Sequence, residues 1–431
     1  MVRSLSMRAL GAVVAFGLAA PPASAQTPDY AAEIERIASH PAVQRAMDMI
    51  ESTDDRTMAD LRELTQIPAP PFMETERGLR FRELLEEAGA DSTWIDDEGN
   101  VIGLRRGNVG DEVIAISGHL DTVFPPETDL TIHEDGDTLR APGIADDTRG
   151  LAAVLAILRA MNEADISTED DILFIGTVGE EGLGDLRGMK HLFREGGPQI
   201  DAFISIDGTS HERVTHQALG SYRYRVTIHG PGGHSWGAFG LANPQHALGH
   251  AIAHFDVAAD AITRMGPRTS YNVGRIGGGT SVNSIPFEAW MEVDMRSESP
   301  ESLDRIDAAF RRAMERAVEE ANATRREGEP LRLELDKIGD RPSGEIPASD
   351  PFVQRAVAAT RHLGIEPSLG RSSTDSNIPI SMGIPSFTLG GGGVGGNAHS
   401  LDEWFVNENG PLGIQRAMLI VVAQAGIPGT S

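Results

Sequence analysis

The chain has 431 residues, 40% of them hydrophobic, and a formal net charge of -27. That length exceeds what one core usually supports, so two domains are expected, and the acidic balance argues against nucleic acid and anionic membrane surfaces as partners. There is no cysteine, which excludes disulfides and thiolate chemistry and leaves any metal site to histidine and carboxylate ligands.

At the N-terminus, Arg3 and Arg8, an apolar run over 9–20 and the small residues Ala23, Ser24 and Ala25 have the layout of a secretory signal peptide. About a dozen apolar residues are too few for a membrane span, which takes roughly 20. Residues 1–25 are therefore read as a cleaved signal, and the mature chain as a soluble periplasmic or secreted protein. An amphipathic helix is predicted over 42–66. Apolar runs at 113–116, 172–178 and 202–206 then alternate with helical stretches such as 148–161, the pattern of an α/β layer with a largely parallel sheet.

Between about 218 and 335 the pattern changes. It reads as a strand at 221–229, a helix at 243–265, strands at 269–277 and 282–296, a helix at 300–326 capped by Ser299, and a strand at 331–337. The order β-α-β-β-α-β is the ferredoxin-like unit. Residues 218–336 are thus predicted to be a domain inserted between two parts of another, 26–217 and 337–431, whose α/β pattern resumes near Ser349. A glycine-rich run, broken only by Val394, covers 390–396.

The polar residues fall in a pattern on this map. His119, the pair Glu180 and Glu181, Asp207 and His399 all come just past predicted strands, His399 after the glycine run. Residues so placed converge on the crevice where open α/β sheets bind ligands. Asp146 adds a carboxylate at a loop-to-helix junction, where a helix N-terminus favours anions. Singly, each has a plain explanation: a core histidine, a loop histidine, a solvated turn, a helix start, a turn cap. Together, unpaired carboxylates at one place repel one another and resist desolvation. A pair of metal ions resolves that conflict. Asp146, Glu181 and Asp207 supply three negative charges against four from two divalent ions, and the remainder suits a bridging hydroxide, the nucleophile two metals generate from water. Imidazole and carboxylate ligands fit Zn2+ best, with Co2+ or Mn2+ as possible substitutes.

At these residues the sequence resembles the M20 metallopeptidases and their aminoacylase and carboxypeptidase relatives. Gly118-His119-Leu120-Asp121-Thr122 is similar to the family's H-x-D motif, the segment from Gly143 through Asp146 and Asp147 to Gly150 to its A-D-D-x-x-G motif, and Gly179-Glu180-Glu181 to its double glutamate. Asn397-Ala398-His399-Ser400 resembles its C-terminal histidine motif, and Gly230 to Ser235 the histidine loop of its inserted domain. The resemblance spans nearly the whole mature chain in order. It implies a mostly parallel-sheet, phosphorylase/hydrolase-like catalytic domain with an inserted ferredoxin-like lid, and hydrolysis of peptide or N-acyl amide bonds.

Residue by residue, the resemblance implies that Asp146 bridges two metals, with His119 and Asp207 completing one site and Glu181 and His399 the other. Asp121 would orient His119, and Glu180 would be the general base. His234 would be the lid histidine that reaches a partner's site in a dimer and stabilises the oxyanion. Asn283, Arg296, Arg341 and Asp375 would line the substrate site. Two departures stand out: Thr148 replaces a lysine common in relatives, and the 390–396 run is richer in glycine than carboxypeptidase-like members. The lid stretch 233–239 looks most like peptidase-T-like members, which favours short peptides over N-acyl amino acids. Two other readings stay open. One is a silent peptide-binding relative, which predicts a lost base or ligand, although Glu180 and all five ligand positions are present. The other is a hydrolase of a different bond, such as an ester or lactam.

Overall fold

The computed structural model describes residues 29–429, so the predicted signal peptide lies outside the described residues. Among these, no helix is long and apolar enough to cross a membrane.

The largest sheet has nine strands. At its centre Asp171–Thr177, Val113–His119, Ala202–Ile206 and Ser386–Leu389 lie side by side and parallel. They are buried on both faces, as their unbroken apolar runs require. The flanks are antiparallel: Ser92–Ile95 and Val101–Arg105 on one side, Arg213–Ala218 and Gly344–Glu345 on the other. Ser368–Ser372 pairs parallel with Arg213–Ala218. The sheet is therefore parallel where the strand ends carry the predicted ligands and antiparallel at its margins.

Helices cover both faces. On one, Thr148–Glu163 is buried on every side from 148 to 161, as expected of a helix apolar all round; its Leu151, Val154, Ile157 and Leu158 share a core with Ile114, Ile116 and Ile204. On the other, Leu186, Met189 and Leu192 pack with Ala115, Ile175 and Phe203. Each such side chain contributes about 1.5–3 kcal/mol on burial. The single helix predicted over 42–66 is two, Pro41–Ser52 and Asp54–Thr65, preceded by Tyr30–Ala38. The break falls at Thr53 (φ -108°), and Asp54 and Asp55 open the next helix, where negative charge favours an N-terminus.

The inserted segment forms its own antiparallel sheet, in the order Thr269–Gly278, Glu288–Ser297, Gly220–His229, Arg332–Arg341. Pro244–Thr263 and Pro300–Thr324 pack on one face, where Tyr224, Phe255, Met291 and Phe310 make a separate core. Ser299 caps the second helix by accepting from the Ser302 N–H, and Asn243 caps the first through Gln245. The predicted strand over 282–296 is broken. Ser284–Ile285 pairs instead with Gly233–His234, Pro286 has no N–H to offer a ladder, and the strand resumes at Glu288. The last strand runs to Arg341, past the boundary read at 336. A further small sheet orders Val394–Gly396, Trp404–Val406, Thr138–Arg140 and His133–Asp135; strands of three residues leave no periodic trace in the sequence.

Candidate metal centre and active site

His119 is the last residue of Val113–His119, and Gly118 lets that strand end approach the helix at 148–163. A Cβ on Gly118 would stand 2.8 Å from the backbone of both Gly150 and Leu151. Asp147, fully buried, caps this helix through the Gly150 N–H (3.1 Å) and takes the His119 N–H at 3.0 Å. The helix start and the strand end are thereby locked together. Asp146 projects just before them, its Oδ1 3.0 Å from His119 Nε2 and its Oδ2 3.3 Å from His399 Nε2. His399 Nε2 also lies 2.7 Å from Glu181 Oε1. One ligand atom each from His119, Asp146 and Glu181 falls within 4.8 Å of the others. Asp207 follows directly on Ala202–Ile206 and lines, with Asp146 and the glycine run, a cavity of about 460 Å³.

The electrostatics of this cluster show a surplus of negative charge. Burial opposes a charge on His119, but hydrogen bonding to Asp121 and Asp146 and the fields of Asp147 and Asp146 outweigh it and hold its pKa well above the usual value. His399 is raised to about 10 by its bonds to Asp146 and Glu181. Burial first, and repulsion from Asp146 second, raise Asp207 to about 6. Asp207 resisting ionisation, beside imidazoles that hold protons against Asp146, describes a site short of cations. The donor set, imidazole nitrogens and carboxylate oxygens on rigid strand ends, fits divalent ions.

Asp121 is buried beside His119, the residue it was expected to orient. Its two carboxylate oxygens accept from the backbone N–H groups of Glu180 (3.0 Å) and Glu181 (2.8 Å). His119 Nδ1 donates to the Asp121 carbonyl oxygen at 3.0 Å, with the nearer carboxylate oxygen at 3.7 Å. The buried carboxylate thus aims the double glutamate and acts electrostatically on His119, while the Asp121 carbonyl holds Nδ1 directly. Glu181 points into the ligand cluster, while Glu180 pairs with Arg341, Nη1 donating to Oε1 at 2.9 Å and Nη2 to the Glu180 carbonyl. Burial pushes the Glu180 pKa well up despite that cation.

Arg341, expected to line the substrate site, is 4% exposed and gives its donors to Glu180 and Ser373; it is a partner of the glutamate, with little surface left for substrate. Asp375, expected there too, is 1% exposed, 2.5 Å from Thr177 Oγ1, and raised to about 6 by burial; it sits beneath the site. Arg296, on the inserted sheet, donates to Asp294 (2.8 Å). Asp294 also takes Arg223, whose Nη1 reaches the Gly182 carbonyl beside the double glutamate. Asn283 and His234 occupy adjoining lid loops, linked by the Ser235 N–H to the Asn283 carbonyl at 2.9 Å. His234 is exposed, and its Nδ1 accepts from the N–H groups of Trp236 and Gly237. Nε2 is then the protonated nitrogen.

Several positioning groups left no mark in the motif reading. Arg77, Arg149 and Arg416 are fully buried and bond loop carbonyls: Ile67 and Leu120; Gly391 and Gly410; Ser210, His211 and Gly390. Burial lowers each to about 10, so all stay charged at neutrality and tie down the loops around the anionic cluster. Glu403 is the other missed residue. The available signal was an acid four positions after His399 and next to the apolar Trp404, Phe405 and Val406.

Histidines and carboxylates gathered at the ends of parallel strands, with a glutamate held just outside the cluster, are the apparatus of a metal-binding hydrolase of peptide or amide bonds. The model of Peptidase family M20/M25/M40 matches residues 115–422, and the chain belongs to that family. Among curated proteins it is 27% identical over 354 residues to the uncharacterized protein YqjE of Bacillus subtilis (strain 168), covering 78% of this chain and 90% of the relative. Among solved structures, aminopeptidase PepT from Bacillus cereus ATCC 10987 superposes with a TM-score of 0.69 at 23% identity, over 86% of this chain and 99% of that one. The di-peptidase Dug1p from Saccharomyces cerevisiae gives 0.70 at 15% identity, over 90% and 99%. Both likenesses are of fold.

Proposed function

We propose that the protein is an exported two-zinc hydrolase of short di- or tripeptides or N-acyl amino-acid amides, with Glu180 as the general base. The observation that carries this reading is the divergence of adjacent glutamates: Glu181 joins His399 and Asp146, while Glu180 is turned away and held by Arg341. Asp146 would be shared between two ions, with His119 and Asp207 on one and Glu181 and His399 on the other. Bound divalent ions would polarise the scissile carbonyl and acidify water. Glu180 would take the proton from the attacking water at its carboxylate and pass it to the leaving nitrogen. Arg341 would keep that carboxylate oriented, and Asp121 would fix the backbone beneath it.

In this proposal 26–217 and 342–431 form the catalytic domain and 218–341, with the whole of the strand Arg332–Arg341, a lid that pairs with a second copy. The solvent face of Pro244–Thr263 supports that pairing: Gly249, Ala253 and Val257 lie exposed along it, Val257 at 75%, beside the free edge strand Thr269–Gly278. His234, exposed and with Nδ1 already bonded to the lid backbone, would be an oxyanion donor for the partner's site through Nε2. Export is proposed from the N-terminal signal pattern, and short peptides from the resemblance of the lid loop and from the names of PepT and Dug1p. A panel of dipeptides, tripeptides, N-acetyl amino acids and simple esters, assayed with zinc-loaded and chelated protein, tests the reading. Turnover of esters alone, or full activity after chelation, would refute it.

A further inference from the structure

The two loops that carry Asp146 and His399 leave the same end of the small sheet. Thr138–Arg140 leads into 141–146, and Val394–Gly396 leads into 397–399; Trp404 pairs with Arg140 on one side and Gly396 on the other. Glu403, immediately before Trp404, is 0% exposed. Its Oε1 accepts from the N–H groups of Ala145 (2.8 Å) and Asp146 (2.9 Å), and its Oε2 from that of Gly143 (2.9 Å). Its main chain completes the stitch, the N–H donating to the Ser400 carbonyl at 3.1 Å and the carbonyl accepting from Ala141 at 3.2 Å. One residue is therefore bonded to both ligand loops and to the amide of Asp146 itself.

We propose that Glu403 is a positioning residue that fixes Asp146 between His119 and His399, and so sets the affinity of the site for its second cation. The inference rests on the reading of the cluster as a two-metal site. Three converging N–H groups need an acceptor with several lone pairs, and a buried carboxylate supplies them. A carboxamide of the same shape turns a donor toward at least one of those N–H groups. Aspartate keeps the charge but withdraws it by about 1.5 Å, one C–C bond. Either change frees the 143–146 segment to shift, and with it the oxygens that stand 3.0 and 3.3 Å from the two imidazoles.

The experiment is zinc competition against a chelating indicator, with elemental analysis, on wild-type, Glu403→Gln and Glu403→Asp protein, alongside circular dichroism and thermal unfolding of the chelated forms. The expected result is two equivalents in the wild type and, in folded variants, weakening of the second equivalent by about 10–100-fold, the usual effect of removing a group that orients a ligand. kcat should fall with KM little changed, and the aspartate variant decides the matter if the glutamine variant does not fold. A residue that only stabilises the fold would lower the unfolding temperature and leave zinc affinity intact. Two tight equivalents in a folded variant, as in the wild type, overturn the inference alone. Fewer than two in the wild type overturns the reading of the site, and the inference with it.

Discussion

Arg341 and Glu180 form an ion pair whose side chains are only 5% and 7% exposed, and its energy can be worked out from the geometry. Arg341→Met removes the guanidinium and leaves the buried Glu180 carboxyl to go unpaired or take up a proton, a loss of at most about 3–5 kcal/mol, the cost of deleting one partner of a buried pair. Glu180→Gln removes the charge but keeps an oxygen for Nη1, and the Glu180 carbonyl still takes Nη2, so its cost should be about 1–3 kcal/mol. The double variant leaves no stranded charge. It should therefore be more stable than the sum of the two changes implies, by at least about 1.5 kcal/mol. The assay is urea unfolding of chelated wild type, both single variants and the double variant, followed by tryptophan fluorescence. Additivity to within about 0.5 kcal/mol, or an Arg341→Met variant as stable as the wild type, would refute the claim that this arginine is committed to Glu180.

Four further outcomes are expected. Chelation should abolish hydrolysis and zinc should restore it, with about two ions per chain by elemental analysis, the content the paired ligand sets call for; full turnover by metal-free protein contradicts this. Glu180→Gln should lower kcat by about 10²-fold or more with zinc content near normal, whereas Glu181→Gln should lose zinc; the reverse pattern exchanges the two roles. Gly118→Ala forces its Cβ to 2.8 Å from the Gly150 and Leu151 backbone, so it should cost about 1–3 kcal/mol by overpacking and weaken zinc binding through His119; a variant with native stability and zinc affinity argues against that close approach. His234→Ala should reduce turnover by about 10²-fold without loss of zinc, and mixing it with Glu180→Gln should restore part of the activity as subunits exchange; inactive heterodimers, once verified, rule out action across the interface.

Much of the fold was legible in the sequence because it rests on local patterning. The unbroken apolar runs at 113–116, 172–178 and 202–206 are buried strands of the central sheet, and the cap at Ser299 holds where side-chain chemistry puts it. The candidate ligands were also visible, since all but Asp146, which precedes a helix start, follow predicted strands, and residues at strand ends are brought together by the sheet itself. What failed locally has physical causes. Thr53 breaks a helix that its apolar spacing would have continued, and Pro286 interrupts a strand that alternation would have extended. The three-residue strands carry too few residues to imprint a period, and the flanking strands Val101–Arg105 and Arg213–Ala218 mix charged and polar residues into their runs.

The sequence by itself determined which residues can bind metal, move protons and cap elements, because those depend on side-chain type and on spacing along the chain. Only the tertiary structure decided what each carboxylate does. Asp121 turns its oxygens to the backbone of Glu180 and Glu181, Asp375 lies beneath Thr177, and Glu403 closes on the 143–146 loop from 257–260 residues away. Arg341 likewise meets Glu180 across 161 residues. In water a carboxylate is satisfied in any direction. Inside the fold its partners are whichever N–H groups and cations long-range packing has already set within reach, and no local pattern records them.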